Sequence, residues 1–496
     1  QVGDYTNYSR GVYADYYQCT NPAVETGTTS KCYSPSAYWR ETDTATHNSQ
    51  ELRASTPDDW RLRGIGGLFW EKYTIGENID WFYKTLPPCT TAAQIGCLTD
   101  IGPAPGAYVR NPNTRPDNES FFDDITRGYT QKAIFGSADF DIIPKTLTIT
   151  AGTRYYNIDT TAQGSSVSSF GCYADGPAPC TGNVPYSNDL SAHNLNITYK
   201  GFKSRANLSW RPMDDVLLYY TWSQGFRPGG FNRGSSNHLP DASGVDQYAT
   251  PKTYVSDNLT NNEVGWKTMW FNHRLEVNGA VYQENWSNAQ VSFFCPQCGL
   301  GNLTYNTNGP DYQVRGVELQ IAANVWQGLS VNGAAAWNSG ELKNSPALIG
   351  NIPGTSSYGK PLTAYYVGGV ATPLQNVYGV QGSPLANSPP FEGNLRARYD
   401  WEWGTYLPYV QLGMQHQSHS LSASGNVEAY DQPAWTTYDL SAGVGKDTWT
   451  VSLVGTNITN TNKSLFTTSR QFILTETPMR PRTIELMFGY AFSEHH

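Results

Sequence analysis

The sequence predicts an all-β fold: a transmembrane antiparallel up-and-down β-barrel of about sixteen strands, with long extracellular loops and short periplasmic turns. Three observations predict it. Segments of about ten residues alternate apolar and polar side chains. The connections between them fall into a long and a short class that take turns along the chain. The apolar faces carry aromatic and aliphatic residues and few charges.

Alternation with period two is what a strand with two different surroundings requires. Leu147, Ile149, Ala151 and Tyr155 oppose Thr148, Thr150, Gly152 and Arg154, and Leu275, Val277, Gly279 and Val281 oppose Glu276, Asn278, Tyr282 and Glu284. The segments from Val216 to Ser223 and from Tyr438 to Val444 behave alike. Ten residues suit a tilted strand crossing of a bilayer. Apolar runs such as Val216 to Trp222 fall well short of the roughly 18 residues of a membrane helix.

Short connections are expected at Thr56 to Asp59, Ile142 to Lys145, Arg211 to Asp215, Phe271 to Arg274, Asn324 to Gly328, Trp401 to Gly404 and Lys446 to Asp447. Long ones are expected around 18–45, 75–127, 157–195, 225–258, 287–311, 338–384, 417–434 and 459–481. Such segregation is the plan of bacterial outer-membrane barrels. A secreted sandwich or propeller also alternates, but has no reason to sort its connections by length and should carry charge on its outer faces.

Composition agrees. The 496 residues hold 33 Lys and Arg against 42 Asp and Glu, a net charge of −9 that argues against a nucleic-acid partner. Aromatics make up 13%, and charged residues only 15% against about 25% in ordinary soluble domains. With 47 Gly and 30 Pro, turns are plentiful.

The eight cysteines fall in four close pairs, each inside one long connection: Cys19 and Cys32, Cys89 and Cys97, Cys172 and Cys180, Cys295 and Cys298. Disulfides that staple loops in an oxidising compartment account for this. Zinc at the Cys295 and Cys298 spacing lacks a second ligand pair, and a redox-active CxxC should open a helix. Asp117, Glu119, Asp123 and Asp124 could hold calcium, with a solvated loop as the competing reading, because their spacing is not the twelve-residue loop pattern. No other cofactor is expected.

No catalytic motif is present, so an enzyme is not expected. His416 and His419 are scattered surface or lumen residues, and Glu276, Glu284, Glu318, Arg154, Arg396 and Arg398 are expected inside the barrel, since charge on the lipid face is costly. Ligand contacts are expected on the loop side. Trp286, Tyr305, Tyr365 and Tyr366 could stack on a sugar or another planar ligand, or form an interface belt or loop core instead. The segment Phe226, Arg227, Phe231, Asn232 leaves its strand at the outer rim, where Arg227 could meet an anionic ligand.

Several segments resemble one family, the TonB-dependent outer-membrane receptors. The C-terminal run Arg482 to Phe492, with Phe488, Tyr490 and Phe492 on one face, is similar to the closing strand read by the barrel assembly machinery. Ser49 to Asp59 with Leu68 and Phe69, Tyr219 to Asn232, Asn262 to Lys267, Arg315 to Leu319, Gly382 to Pro390 and Val454 to Asn460 follow in the family's order. The resemblance covers about residues 46 to 492. It implies location in the bacterial outer membrane, a small-molecule or oligosaccharide ligand, a TonB partner, and active uptake of a scarce nutrient such as a siderophore or carbohydrate. Family barrels have twenty-two strands around a plug. Residues 1–496 show neither plug nor TonB-contacting box, so the chain is expected to be the C-terminal barrel portion of a longer receptor. A passive pore or surface-binding barrel is the alternative, and Ser493 to His496 extend past the usual terminal Phe.

Overall fold

The computed structural model describes residues 2–6, 36–83, 119–168, 190, 194–232, 238–293, 305–367, 370–424, 429–470 and 473–492. Among the described residues, sixteen strands form one sheet in chain order. They are β1 (Val2–Thr6), β2 (Ser36–Ser55), β3 (Leu62–Tyr83), β4 (Glu119–Ile143), β5 (Leu147–Ser168) and β6 (Leu195–Met213). Then come β7 (Val216–Arg227), β8 (Asp257–Trp270), β9 (Leu275–Ser287), β10 (Asp311–Trp326) and β11 (Leu329–Asn344). The last are β12 (Phe391–Asp400), β13 (Leu407–Gln417), β14 (Trp435–Lys446), β15 (Trp449–Thr456) and β16 (Thr483–Tyr490). Each pairs antiparallel with its neighbours in sequence, and β1 and β16 are the two sheet edges. The count and the strict alternation of short and long connections are those expected from the sequence.

Register shows why the sequence folds this way. Antiparallel partners share a face. Leu62, Phe140, Ile149, Leu208, Tyr220, Val264, Val281, Val317 and Trp337 are successive cross-strand partners from β3 to β11, and all are exposed. An unbroken apolar row on a protein's outside is stable only against lipid. At the short-turn end stand Trp60, Trp210, Trp270, Trp326, Trp401 and Trp403, all exposed, as in the aromatic girdle of a membrane barrel. Tight turns close this end. Between β10 and β11, Gly328 has φ +82, and a Cβ there would meet the Asp400 carbonyl oxygen at 2.0 Å, so only glycine fits.

Two expectations need correction. The segments 75–127 and 157–195 are not loop throughout: β3, β4 and β5 run for 22, 25 and 22 residues, about twice the length that crosses a bilayer. Their upper halves, such as Asn157 to Ser168, lie beyond the lipid and so need no apolar face; pairing with the neighbouring strand holds them. Glu119, Asp123 and Asp124 therefore belong to β4 and not to a loop. Gly11 to Tyr17, whose sequence also reads as a strand, lies outside the described residues.

Beyond the long-connection end, the described parts of three connections (228–232 and 238–256, 288–293 and 305–310, 345–367 and 370–390) fold together into a cap. Small antiparallel pairs build it: Gln290–Phe293 with Tyr305–Asn308, His238–Pro240 with Asp246–Ala249, and Ala364–Val367 with Val370–Pro373. Leu239, Tyr248, Phe293, Tyr305, Leu348, Leu362, Tyr365, Leu374, Val377 and Tyr378 form its buried apolar core. Fully burying one such side chain is worth about 1.5–3 kcal/mol, which offsets the ordering of these long segments.

Candidate functional site

Opposite the lipid-facing row, the wall presents polar and aromatic side chains to the barrel interior. Aromatic rings lie flat there because their cross-strand partners are glycines. Tyr219 covers Gly265 and Tyr282 covers Gly316, and in each case a Cβ on the glycine would fall 2.3 Å from the ring. Tyr156 covers Gly201 in the same way. The rings replace the packing that glycine lacks.

Two patches result. Across β3 to β7, Ala133, Tyr156 and Ile158 are buried with Phe69, Tyr129, Tyr199 and Phe226 against them. Arg154 lies 4.5 Å over the Phe69 ring, and the His47 imidazole is 2.7 Å from the Glu71 carboxylate. Across β7 to β10, the Tyr219 hydroxyl donates to Glu263 at 2.7 Å, with Glu284 and Glu318 on the same face. The expected interior carboxylates are thus on the face away from lipid. The arrangement offers flat apolar surface and fixed charge to a solute or to another part of a protein.

Above the wall, the expected ligand residues are placed as follows. Phe226 stacks on Tyr156 with centroids 4.1 Å apart, and the Lys203 ammonium lies 5.2 Å from the Phe226 centroid. Arg227 is already ion-paired within the protein, with about half of its side chain left exposed. Its Nε and Nη2 donate to Asp257 at 2.9 and 2.5 Å, and its guanidinium lies 4.8 Å over Trp286. Asp257 also accepts from Trp286 Nε1 at 2.8 Å and from the backbone N–H of Arg227 and Gln290. This buried carboxylate ties β7, β9 and the cap together, and the sequence reading missed it. Burial alone would raise its pKa, but those donors more than offset that and hold it below the usual carboxylate range.

Asn232 is buried and donates to the carbonyls of Pro251 and Asn306, both at 2.8 Å, so it is a stitch between two connections. Tyr305 and Tyr365 are cap core, closed off by protein, so neither presents a ring face for stacking. The Tyr305 and Tyr248 hydroxyls are 3.2 Å apart, and burial pushes both upward in pKa, as it does Tyr378. Phe231, Trp286 and Tyr366 are half-buried. His416 is hydrogen-bonded to Thr436 and His419 contacts Asp431.

All eight cysteines lie outside the described residues, as does Asp117; of the calcium set, only Asp124 has a described side chain, and it is buried. Among the described residues no group of three or more His, Cys, Asp or Glu could hold a metal ion. Phe488, Tyr490 and Phe492 are exposed at the sheet's last edge.

Comparison with solved structures gives the same architecture. The ferric yersiniabactin uptake receptor of Yersinia pestis matches with a TM-score of 0.63 and 13% identity, over 92% of this chain and 56% of that one. The ferric-catecholate import receptor of E. coli K12 matches at 0.58 and 13%, over 99% and 60%. The ferripyoverdine receptor of the Pseudomonas aeruginosa outer membrane matches at 0.53 and 13%, over 93% and 50%. The chain therefore spans a little over half the length of these receptors. The family model for the TonB dependent receptor-like β-barrel matches residues 2–458. With the register, the aromatic girdle and this match together, the chain belongs to the TonB-dependent receptor β-barrel family of the bacterial outer membrane.

Proposed function

We propose that the chain is the barrel wall of a receptor that captures a scarce nutrient outside the cell and takes it up with energy supplied through TonB. What carries this reading is the pairing of a folded loop cap with an interior wall of aromatic rings and fixed charges, a surface suited to holding a solute. The solved neighbours import ferric siderophores, so a ferric siderophore is the first ligand class to test and an oligosaccharide the second. A plug domain on the same receptor supplies the moving part and the contact with TonB, and the exposed Phe488, Tyr490 and Phe492 serve the barrel assembly machinery. Half-buried Trp286, Tyr366 and Phe231 are the ligand contacts of this reading.

The test is accumulation of radiolabelled ferric siderophores by cells producing the full-length receptor. Accumulation that stops when TonB is removed or the proton gradient is collapsed supports the reading. Accumulation that persists without either favours a passive pore.

A further inference from the structure

On the lipid-facing side of β7 to β11 a depression of about 550 Å³ lies between Tyr220 and Trp337, floored by Val264, Val281 and Val317. Two residues further toward the loops, β8 to β11 turn polar together, while β7 keeps an aromatic, Trp222, in that row. Asn262, Gln283, Arg315 and Ser339 are cross-strand partners in one row. Thr260, Asn285, Gln313 and Glu341 make the next.

Arg315 stands eleven residues above the girdle residue Trp326 on β10. At roughly 3.3 Å per residue and a tilt of about 40–45°, that is about 25 Å, the height of a barrel's apolar band. Its guanidinium is therefore level with the outer-leaflet headgroups. It is exposed, its Nε donates to the Gln283 side chain at 3.2 Å, and among the described residues no carboxylate lies within ion-pair distance of it. The acid on the same stretch, Glu341, is hydrogen-bonded to Lys343 and feels the Arg315 charge only at longer range. An apolar groove with a cation at its headgroup end matches one kind of partner.

We propose that this groove retains a phosphorylated acyl-chain lipid of the outer leaflet. One chain lies along Val264, Val281 and Val317 against Trp337, and a headgroup phosphate is bound by Arg315. The site sits on the opposite face of the sheet from the interior wall and serves to fix the barrel in its leaflet, not to transport.

The full-length receptor, delipidated in mild detergent and then offered lipid A, tests this by native mass spectrometry. The expected result is one retained lipid A per receptor, falling roughly tenfold in Arg315→Gln, as loss of one charge-assisted contact predicts. Trp337→Ser lowers retention through the groove wall, while Leu412→Ala, lipid-facing on β13, leaves it unchanged. Heat-modifiable migration on gels checks that each variant is folded. Equal retention by the wild type and Arg315→Gln overturns the proposal. So does displacement by an equal concentration of inorganic phosphate, which marks a bare anion site, or a dimer in place of the lipid-bound species.

Discussion

Val281 on the wall leaves 48% of its surface exposed, whereas Leu348 in the cap leaves 3%. Both are aliphatic, and both are where their surroundings demand. The wall's outer solvent is lipid, so its apolar side chains need no core and its strands are held by backbone pairing. The cap stands in water and must bury its apolar residues as a soluble domain does, drawing them from three connections. One chain therefore uses the hydrophobic effect in two opposite senses, and a substitution that disturbs one region should leave the other intact.

The largest expected effect is in the cap. Phe293→Ala removes a ring from its core and costs about 3–5 kcal/mol of local stability. Hydrogen exchange should rise across 238–249 and 364–374, with heat-modifiable migration of the barrel unchanged. Val277→Arg, lipid-facing on β9 and about halfway between the Arg315 row and the girdle, costs about 2–4 kcal/mol of barrel stability near the lipid midplane. Urea unfolding of refolded barrels should show it while cap exchange stays as in the wild type. At the junction, Asp257→Ala strands the Trp286 and Gln290 N–H groups and should loosen the cap by about 2 kcal/mol.

The smallest effect concerns pH. Because the Asp257 carboxyl is held below its ordinary range, its contribution is fully present above the unfolded carboxylate value of about pH 4 and is lost as pH falls through the lower folded value. Cap exchange, corrected for intrinsic rate, should be flat from pH 7 to pH 5 and climb only below about pH 4. A rise already at pH 6 would point to a different group.

What could be read from the sequence divides along the same line. Leu275 to Val281 alternates plainly because lipid lies on one side of it and water on the other, and the turn at Phe271 to Arg274 falls where expected. Asn157 to Ser168 lies beyond the lipid, so its sequence lacks the alternation of a membrane-crossing strand even though it pairs as one. Gly265 and Gly316 carry no local sign of the rings lying over them; only register names Tyr219 and Tyr282. Arg227 looked available because Asp257 is thirty residues away in sequence, and Tyr305 and Tyr365 looked like stacking platforms because the residues that bury them belong to other connections. Local pattern reports the solvent on each face; it does not report partners brought in by folding.

The most direct test of the two-faced wall is a photocrosslinking residue, benzoylphenylalanine, placed at Val281 or Tyr282 and irradiated in intact outer membranes. Lipid adducts at position 281 and none at 282 are predicted, since β9 turns the first toward the bilayer and the second toward the interior. Equal labelling at both positions, or labelling at 282 alone, would contradict the assignment of faces on which the rest depends.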